Sequence, residues 1–137
     1  MAHWLFKEEP EHFSFEELQM EGMTAWDGVK NNLALRNLKS VAKGDMILYY
    51  HTGDEKCVVG LAVCTESRGT VGYPHVSIKA VKKFKHRVPL SAIKTAGQFK
   101  DEPLVRIPRL SVMPVGEKLW KFIIGSSGID IGGEERL

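Results

Sequence analysis

Three strand-like segments follow one another in the middle of the chain, with only loops between them. Residues 46–50, 57–65 and 76–88 are rich in β-branched and aromatic side chains, and the third alternates apolar with polar positions. The intervening loops, 52–56 and 67–74, are built from turn-forming residues. This order predicts adjacent antiparallel strands, and it excludes the regular strand and long-helix repeat of a doubly wound parallel sheet.

Short helices are expected around these strands. Ser14 followed by Glu17 forms a capping-box signature for a helix within residues 13–22. Apolar residues three or four apart predict an amphipathic helix over 31–41 and another over 117–124, with Gly125 as its stop. Three brief elements complete the set: a strand over 3–6, a helix over 90–95 and an extended edge segment over 109–113. The predicted fold class is therefore α+β, with a curved or barrel-like, mostly antiparallel sheet and short flanking helices.

The chain has the length and apolar content of one folded unit. Its 137 residues are 43% hydrophobic, which suffices for a single core. We expect the domain to occupy residues 1–125 and the Gly- and Ser-rich, then charged, residues 126–137 to form a flexible tail. No apolar run reaches the ~18 residues of a membrane span. Two odd-spaced cysteines in one strand are expected to form neither a disulfide nor a metal site, which favours a reducing, intracellular location.

Charge and motifs exclude several functions. Nineteen Lys and Arg residues against seventeen Asp and Glu residues leave a net charge of +2, too little to grip duplex DNA through phosphates alone. The sequence contains no Walker A loop, dinucleotide fingerprint, HExxH pair or Gly-x-Ser-x-Gly elbow. Its five histidines lack ligand spacing. We therefore predict no metal, no cofactor and no catalytic residues.

One loop carries an unusual set of side chains. Residues 26–31 read Trp-Asp-Gly-Val-Lys-Asn and lead into the helix predicted over 31–41. In one interpretation Asp27 caps that helix and Trp26 fills the core. In the other, the indole stacks on a nucleobase while carboxylates and amides read the edge of the base. Polar residues at two strand ends, Lys7 to Pro10 and Tyr49 to His51, favour the second interpretation.

A basic run lies on the third predicted strand. It places cations around Phe84. These cations either bind along a phosphate backbone or form the solvated face of an exposed strand, and the sequence leaves both interpretations open. Its members are Lys79, Lys82, Lys83, Lys85, His86 and Arg87.

Four ordered motifs give the chain a resemblance to a known family. They are Trp-Leu-Phe-Lys with Glu-Pro at 4–10, Trp-Asp-Gly-Val-Lys-Asn at 26–31, Gly-Asp leading to Tyr-Tyr-His at 44–51, and Arg-Leu-Ser-Val with Pro-Val at 109–115. In this order they resemble the EVE domain family over nearly all of residues 3–124. The resemblance implies a PUA-like fold, related to YTH domains.

The resemblance also implies a function. Members of the family are non-catalytic binders of modified bases in DNA or RNA, so we expect this chain to hold a flipped or single-stranded base. Transferred to this sequence, the implied binding residues are Lys7, Glu9, Trp26, Asp27, Lys30, Asn31, Tyr50, His51, Arg109 and Ser111. Among these, Lys30 and Arg109 are placed to hold a flanking phosphate.

The chain departs from the family pattern at three positions. Glu8, Asn32 and Leu35 stand where relatives often carry Ser, an aromatic residue and Arg. An alternative function is a small hydrolase of modified nucleosides, similar to ASCH proteins, with Lys7 and Glu9 as the working pair. A third is a module whose sheet surface contacts protein. We expect a monomer, cytoplasmic in a bacterium or nuclear in a eukaryote, with a modified nucleic acid as partner and no membrane association.

Overall fold

Six strands form one curled, half-barrel sheet in the order β2-β5-β4-β3-β1-β6. The computed structural model describes residues 2–68 and 72–131. The strands are β1 (His3–Glu8), β2 (Met23–Trp26), β3 (Met46–His51), β4 (Cys57–Arg68), β5 (His75–Pro89) and β6 (Val112–Pro114). All paired strands are antiparallel except β1 and β3. The predicted α+β, PUA-like fold class is confirmed.

Short helices cover the sheet. They are α1 (Pro10–Phe13), α2 (Phe15–Glu21), α3 (Asn32–Ser40), α4 (Leu90–Ala96), α5 (Pro103–Arg106) and α6 (Glu117–Ser127). The predicted capping box is confirmed, because the Ser14 hydroxyl accepts from the Glu17 N–H and the Glu17 carboxylate accepts from the Ser14 N–H. Asn31 caps α3 by accepting from the Ala34 N–H.

Alternate side chains of strand β1 lie on opposite faces of the sheet. Its residues pair in register with β3, Phe6 opposite Tyr49 and Lys7 opposite Tyr50. Because neighbouring side chains on a strand point to opposite faces, Phe6 and Tyr49 lie on one face and Lys7 and Tyr50 on the other. The first face packs against Trp26, and the second face borders a cleft described below.

A glycine in β4 makes room for an aromatic ring of α2. The Phe15 side chain is fully buried, and a Cβ added at Gly60 would lie 2.5–2.6 Å from three of its ring carbons. The ring therefore rests directly on the backbone of β4. This close contact fixes the distance between α2 and the sheet, and with it the position of the preceding α1 segment.

Several local predictions are corrected by the structure. The helix stop expected at Gly125 is wrong, since α6 continues to Ser127 and ends at Gly128, whose φ is +78°. Within the expected tail, Ser127 and Ile131 are buried, and residues 132–137 lie outside the described residues. Elements α1, β2 and α5 were not predicted. Both cysteines are buried and free, and β4 contains register shifts between them.

Candidate functional site

Trp26 forms the end of the edge strand β2. Its backbone pairs with Val76 of β5, and its indole packs against Phe6, with ring centroids 5.2 Å apart, and edge-on against Tyr49 at 5.6 Å. Only 6% of its surface is exposed. The structure therefore confirms the interpretation in which Trp26 fills the core, and the residue also borders a cavity.

This cavity, named here the Trp26 cavity, has a volume of about 160 Å³. That is the volume of roughly five water molecules, which suits one ring-sized ligand rather than a base pair. Its walls combine aromatic and apolar groups with two carboxylates and an imidazole. The lining residues are Glu8, His12, Phe13, Thr24, Ala25, Trp26 and Asp27.

An ion pair lies across the wall of the Trp26 cavity. The His12 Nδ1 atom is 3.1 Å from a Glu8 carboxylate oxygen. The hydrogen bond with Glu8 and the negative charge of that carboxylate raise the pKa of the exposed His12 ring. The pair leaves unused acceptor capacity on the Glu8 carboxylate, because an ionised carboxylate has about four lone-pair sites.

Two hydrogen bonds fix the α1–α2 wall of the cavity to the sheet. The Tyr49 hydroxyl donates to the Phe13 carbonyl at 2.6 Å, and the Phe15 N–H donates to His51 Nε2 at 3.1 Å. Burial is the main cause that raises the pKa of Tyr49 far above its ordinary range, so this phenol remains a donor. The sheet thereby holds the segment that carries His12 and Phe13.

The buried His51 ring is a structural residue. Because Nε2 accepts from Phe15, the ring carries its proton on Nδ1, which donates to a Glu55 carboxylate oxygen 2.9 Å away. Glu55 also pairs with Arg87. The His51 hydrogen bond is the main reason that the pKa of Glu55 lies below its ordinary value. The prediction that His51 lines the ligand pocket is therefore corrected, since its ring is 1% exposed and both nitrogens are bonded within the protein.

A larger cavity, named here the Lys7 cleft, lies on the opposite face of β1 and β3. Its volume is about 840 Å³, and five of the predicted residues line it: Lys7, Glu9, Tyr50, Arg109 and Ser111. The Lys7 Nζ donates to the Pro108 carbonyl at 2.8 Å and lies 5.3 Å from the centre of the Tyr50 ring. Burial lowers the pKa of the Lys7 ammonium and raises the pKa of Tyr50 to about 12. Glu8 lines both cavities, so they adjoin at the end of β1.

The ten predicted residues thus divide into three groups. Five line the Lys7 cleft, while Trp26 and Asp27 line the Trp26 cavity. The other three, Lys30, Asn31 and His51, line neither cavity. The single pocket expected from the sequence is therefore two adjoining cavities, because consecutive residues at the end of β1 face opposite sides of the sheet.

The loop between β2 and α3 is exposed and held at two points. Asn31 uses its side-chain oxygen to cap α3, and the Val29 N–H donates to the Tyr73 hydroxyl at 2.8 Å. The second bond ties this loop to Tyr73 in the segment before β5. Lys30 is exposed on this loop.

Sequence reasoning missed much of the lining of the Trp26 cavity. Glu8 was treated as a departure from the family pattern, although strand alternation places it on the same face as Phe6. His12 and Phe13 were missed because α1 was not predicted, and Thr24 and Ala25 because β2 was not. Pro10 at the first position of α1 is the signal that could have revealed that turn.

Three members of the predicted basic run make polar contacts within the protein. Lys83 pairs with Glu16 at 2.8 Å, Arg87 pairs with Glu55, and the Lys82 ammonium donates to the Asp130 carbonyl. These contacts favour the solvated strand face of the two interpretations. Over residues 2–68 and 72–131, no His, Cys, Asp and Glu side chains cluster in a way that could hold a metal ion. Within the same residues, no helix has the length and apolar character of a membrane span.

Comparisons with known proteins give consistent matches over nearly the whole chain. A sequence model of the EVE domain matches residues 2–126. Thymocyte nuclear protein 1 of Homo sapiens is 27% identical over an alignment that covers 90% of this chain and 72% of that protein. An NMR structure of a Rhodopseudomonas palustris protein is 33% identical, with a TM-score of 0.85 and coverage of 93% and 94%. The human thymocyte protein, solved in complex with DNA containing 5-methylcytosine, is 24% identical with a TM-score of 0.82 over 95% and 99% of the two chains.

Proposed function

This chain belongs to the EVE domain family, and from that premise we propose that it binds nucleic acid and holds one modified, unpaired base in the Trp26 cavity. The observation that carries the proposal is the cavity itself, a ring-sized space lined by Trp26, Phe13 and two acidic residues, Glu8 and Asp27. The human relative in complex with 5-methylcytosine DNA supports it.

The lining favours a base that bears an exocyclic amine. An ionised carboxylate, such as that of Glu8 or Asp27 in the lining, offers hydrogen-bond acceptors and no donor. Carboxylates accept hydrogen bonds from the N4 amine of cytosine. A base with only carbonyl oxygens at that edge would meet two like-charged acceptors. Methylated cytosine and methylated adenine therefore fit the cavity better than uracil or thymine.

The free energies of stacking and of one methyl contact predict only a modest preference for a modified base over the unmodified one. Stacking on an aromatic side chain contributes about 1–3 kcal/mol per base, which is similar to the few kcal/mol lost when a base leaves a duplex. One methyl group in an apolar pocket adds about 1–3 kcal/mol. Single-stranded or already unpaired bases should therefore bind more tightly than bases in an intact duplex.

The test compares variants that separate binding from folding. Trp26→Ala would remove a buried core side chain, so we choose Trp26→Phe and Asp27→Asn, with Trp120→Phe as the control for loss of a buried indole elsewhere. Affinities are measured for single-stranded oligonucleotides with one 5-methylcytosine, one N6-methyladenine or no modification.

We expect both cavity variants to bind roughly tenfold more weakly, the effect of about 1.4 kcal/mol, while Trp120→Phe keeps wild-type affinity. Circular dichroism checks that each variant is folded. Equal affinity of the wild type and both cavity variants would refute the assignment. Turnover of an acylated nucleoside, lost in Lys7→Met, would instead support the hydrolase alternative.

A further inference from the structure

Among the residues that the structure describes, His12 is the only basic residue in the lining of the Trp26 cavity. Its imidazole extends from the last turn of α1 and is 75% exposed. The Nδ1 atom faces the Glu8 carboxylate at 3.1 Å, and within the described residues the ring makes no other hydrogen bond or ion pair. The Nε2 atom is therefore available to a ligand in the cavity, and the contacts with an exocyclic amine described above do not use it.

The charge of this ring depends on acids from three segments of the chain. They are Glu8 at the end of β1, Glu9 before α1 and Asp27 after β2. The hydrogen bond with Glu8 and its negative charge raise the pKa of His12 above the ordinary value of 6.5, and the charges of Glu9 and Asp27 act in the same direction. The imidazolium of His12 therefore persists closer to neutral pH than that of an ordinary histidine.

Protonation reverses what the Nε2 atom offers to a ligand. In the imidazolium both ring nitrogens are donors, whereas the neutral ring has one donor and one acceptor. Because Nδ1 faces a carboxylate, the neutral ring keeps its proton on Nδ1 and leaves Nε2 as an acceptor. The pair of Glu8 and His12 thus presents an acceptor beside a donor when His12 is protonated, and two acceptors when it is neutral.

Nucleobases differ in the pattern that such a pair would meet. Cytosine and 5-methylcytosine place an exocyclic amine beside a ring nitrogen with a lone pair, and adenine does the same. Thymine and uracil place a carbonyl oxygen beside a ring N–H. A donor next to a carboxylate complements the first pattern and opposes the second at both positions.

We propose that protonated His12 is a specificity-determining residue, whose Nε2–H donates to the ring nitrogen of the bound base while Glu8 accepts from the adjacent amine. This inference rests on the proposed function. It makes the cavity select 5-methylcytosine over thymine, although the two bases carry the same methyl group. Selection then depends on pH, because only the imidazolium has a donor at Nε2.

The experiment removes the ring nitrogen from the ligand and the imidazole from the protein. Single-stranded oligonucleotides carry one central cytosine, 3-deazacytosine, 5-methylcytosine or thymine; 3-deazacytosine keeps the amine and has C–H in place of the ring nitrogen. The variant is His12→Ala, and the matched control is His75→Ala, which removes an exposed histidine of β5 that lines neither cavity. Affinities are measured across roughly pH 5 to 8, where histidine titrates.

At the acidic end of this range, wild type and control should bind cytosine about tenfold more tightly than 3-deazacytosine, the scale of one hydrogen bond to a charged group. This ratio should fall as the pH rises through the raised pKa of His12, and it should be near one at every pH in His12→Ala. The preference for 5-methylcytosine over thymine should weaken in the same way. In Glu8→Gln, which removes the main cause of the raised pKa, the midpoint of the profile should move to lower pH.

The outcomes separate this inference from the proposed function. A ratio of cytosine to 3-deazacytosine affinity that is equal in the wild type and His12→Ala, or that is constant with pH, would refute the role of His12. Weaker binding by Trp26→Phe and Asp27→Asn would in that case still support base binding in the cavity. Affinities that none of the cavity variants changes would refute both proposals.

Discussion

Replacing Gly60 by alanine tests how the sheet positions the wall of the Trp26 cavity. The added Cβ would lie 2.5 Å from the terminal ring carbon of Phe15 and 2.6 Å from two neighbouring ring carbons. Ordinary contacts between carbon atoms lie at about 3.5–4.0 Å, so the ring must move by roughly 1 Å. Phe15 has no exposed surface and its N–H is bonded to His51, so α2 must move with the ring.

The size of the effect follows from two opposing contributions. Overpacking of a filled core costs about 1–3 kcal/mol. The loss of chain entropy in the unfolded state when glycine becomes alanine stabilises by about 0.4–1 kcal/mol. The net loss in the free energy of unfolding should be about 1–2 kcal/mol, which for 137 residues lowers the melting temperature by roughly 4–7 °C.

Gly125→Ala is the matched control. Gly125 lies within α6, is exposed, and a Cβ there meets no atom within 4 Å. The same substitution should therefore stabilise the protein by about 0.5–1 kcal/mol, because alanine has the higher helix propensity. Opposite signs for the two glycines would show that the loss at Gly60 is steric.

Urea denaturation of both variants and of Phe15→Leu measures these free energies. In the Phe15→Leu background the smaller side chain leaves room, so Gly60→Ala should cost at least about 0.5 kcal/mol less than in the wild type. Because α2 directly follows α1, which carries His12 and Phe13 of the cavity lining, Gly60→Ala should also weaken binding of a modified oligonucleotide. A Gly60→Ala protein as stable as the wild type, or an unchanged cost in the Phe15→Leu background, would refute this reasoning.

Three further predictions concern the contacts around the site. Tyr49→Phe leaves the Phe13 carbonyl without its donor, and we expect a loss of about 1–2 kcal/mol by urea denaturation together with weaker oligonucleotide binding. Ser14→Ala removes half of the capping box and should cost about 1 kcal/mol without changing the ratio of affinities for modified and unmodified bases. The His51 hydrogen bond holds the pKa of Glu55 below its ordinary value of 4.5, so stability from this carboxylate is complete above that pH and is lost as the pH falls through the lowered pKa. The urea midpoint of the wild type should therefore fall more steeply in acid than that of Glu55→Gln, and parallel curves would contradict this.

The sequence predicted the sheet well because its strands depend on local pattern. The segments that became β3, β4 and β5 alternate or bury their side chains over long stretches, and Gly- and Asp-rich loops separate them. The capping box at Ser14 was equally clear, since both hydrogen bonds join residues three apart. Strand β2 escaped prediction because its four residues form a strand only through pairing with β5, at residues that lie fifty or more positions later.

The helix stop at Gly125 failed for a different reason. A lone glycine destabilises a helix by only about 1 kcal/mol. The Ser126 and Ser127 hydroxyls that follow it donate to carbonyls of the preceding turn. Ser127 can therefore be buried without leaving its hydroxyl unbonded. Gly128, with its positive φ, is the position that ends the helix. The sequence alone does not show whether Gly125 or Gly128 ends the helix, because the answer depends on which of the two packs against β5.

The sequence predicted several of the residues that line the two cavities, but it placed them in a single pocket. Motif resemblance identified Lys7, Trp26 and Asp27 as lining residues, and each lines a cavity. It could not show that Lys7 and Trp26 serve separate cavities, because that depends on the register of β1 with β3 and on the packing of Phe6. His51 was assigned to the ligand from the resemblance alone, and the sequence could not show that its Nε2 accepts from the N–H of Phe15, 36 residues away.

The position of β1 between β3 and β6 has a consequence for biosynthesis. This strand leaves the ribosome well before its β6 neighbour, which begins at Val112. Phe6 packs on Trp26 and β1 pairs with β3, but during translation the edge of β1 that faces β6 lacks its partner until roughly a hundred further residues have been made. At about 5–20 residues per second, that interval lasts several seconds. A nascent chain stalled before Val112 would present an unpaired strand edge, which makes it a natural substrate for chaperones.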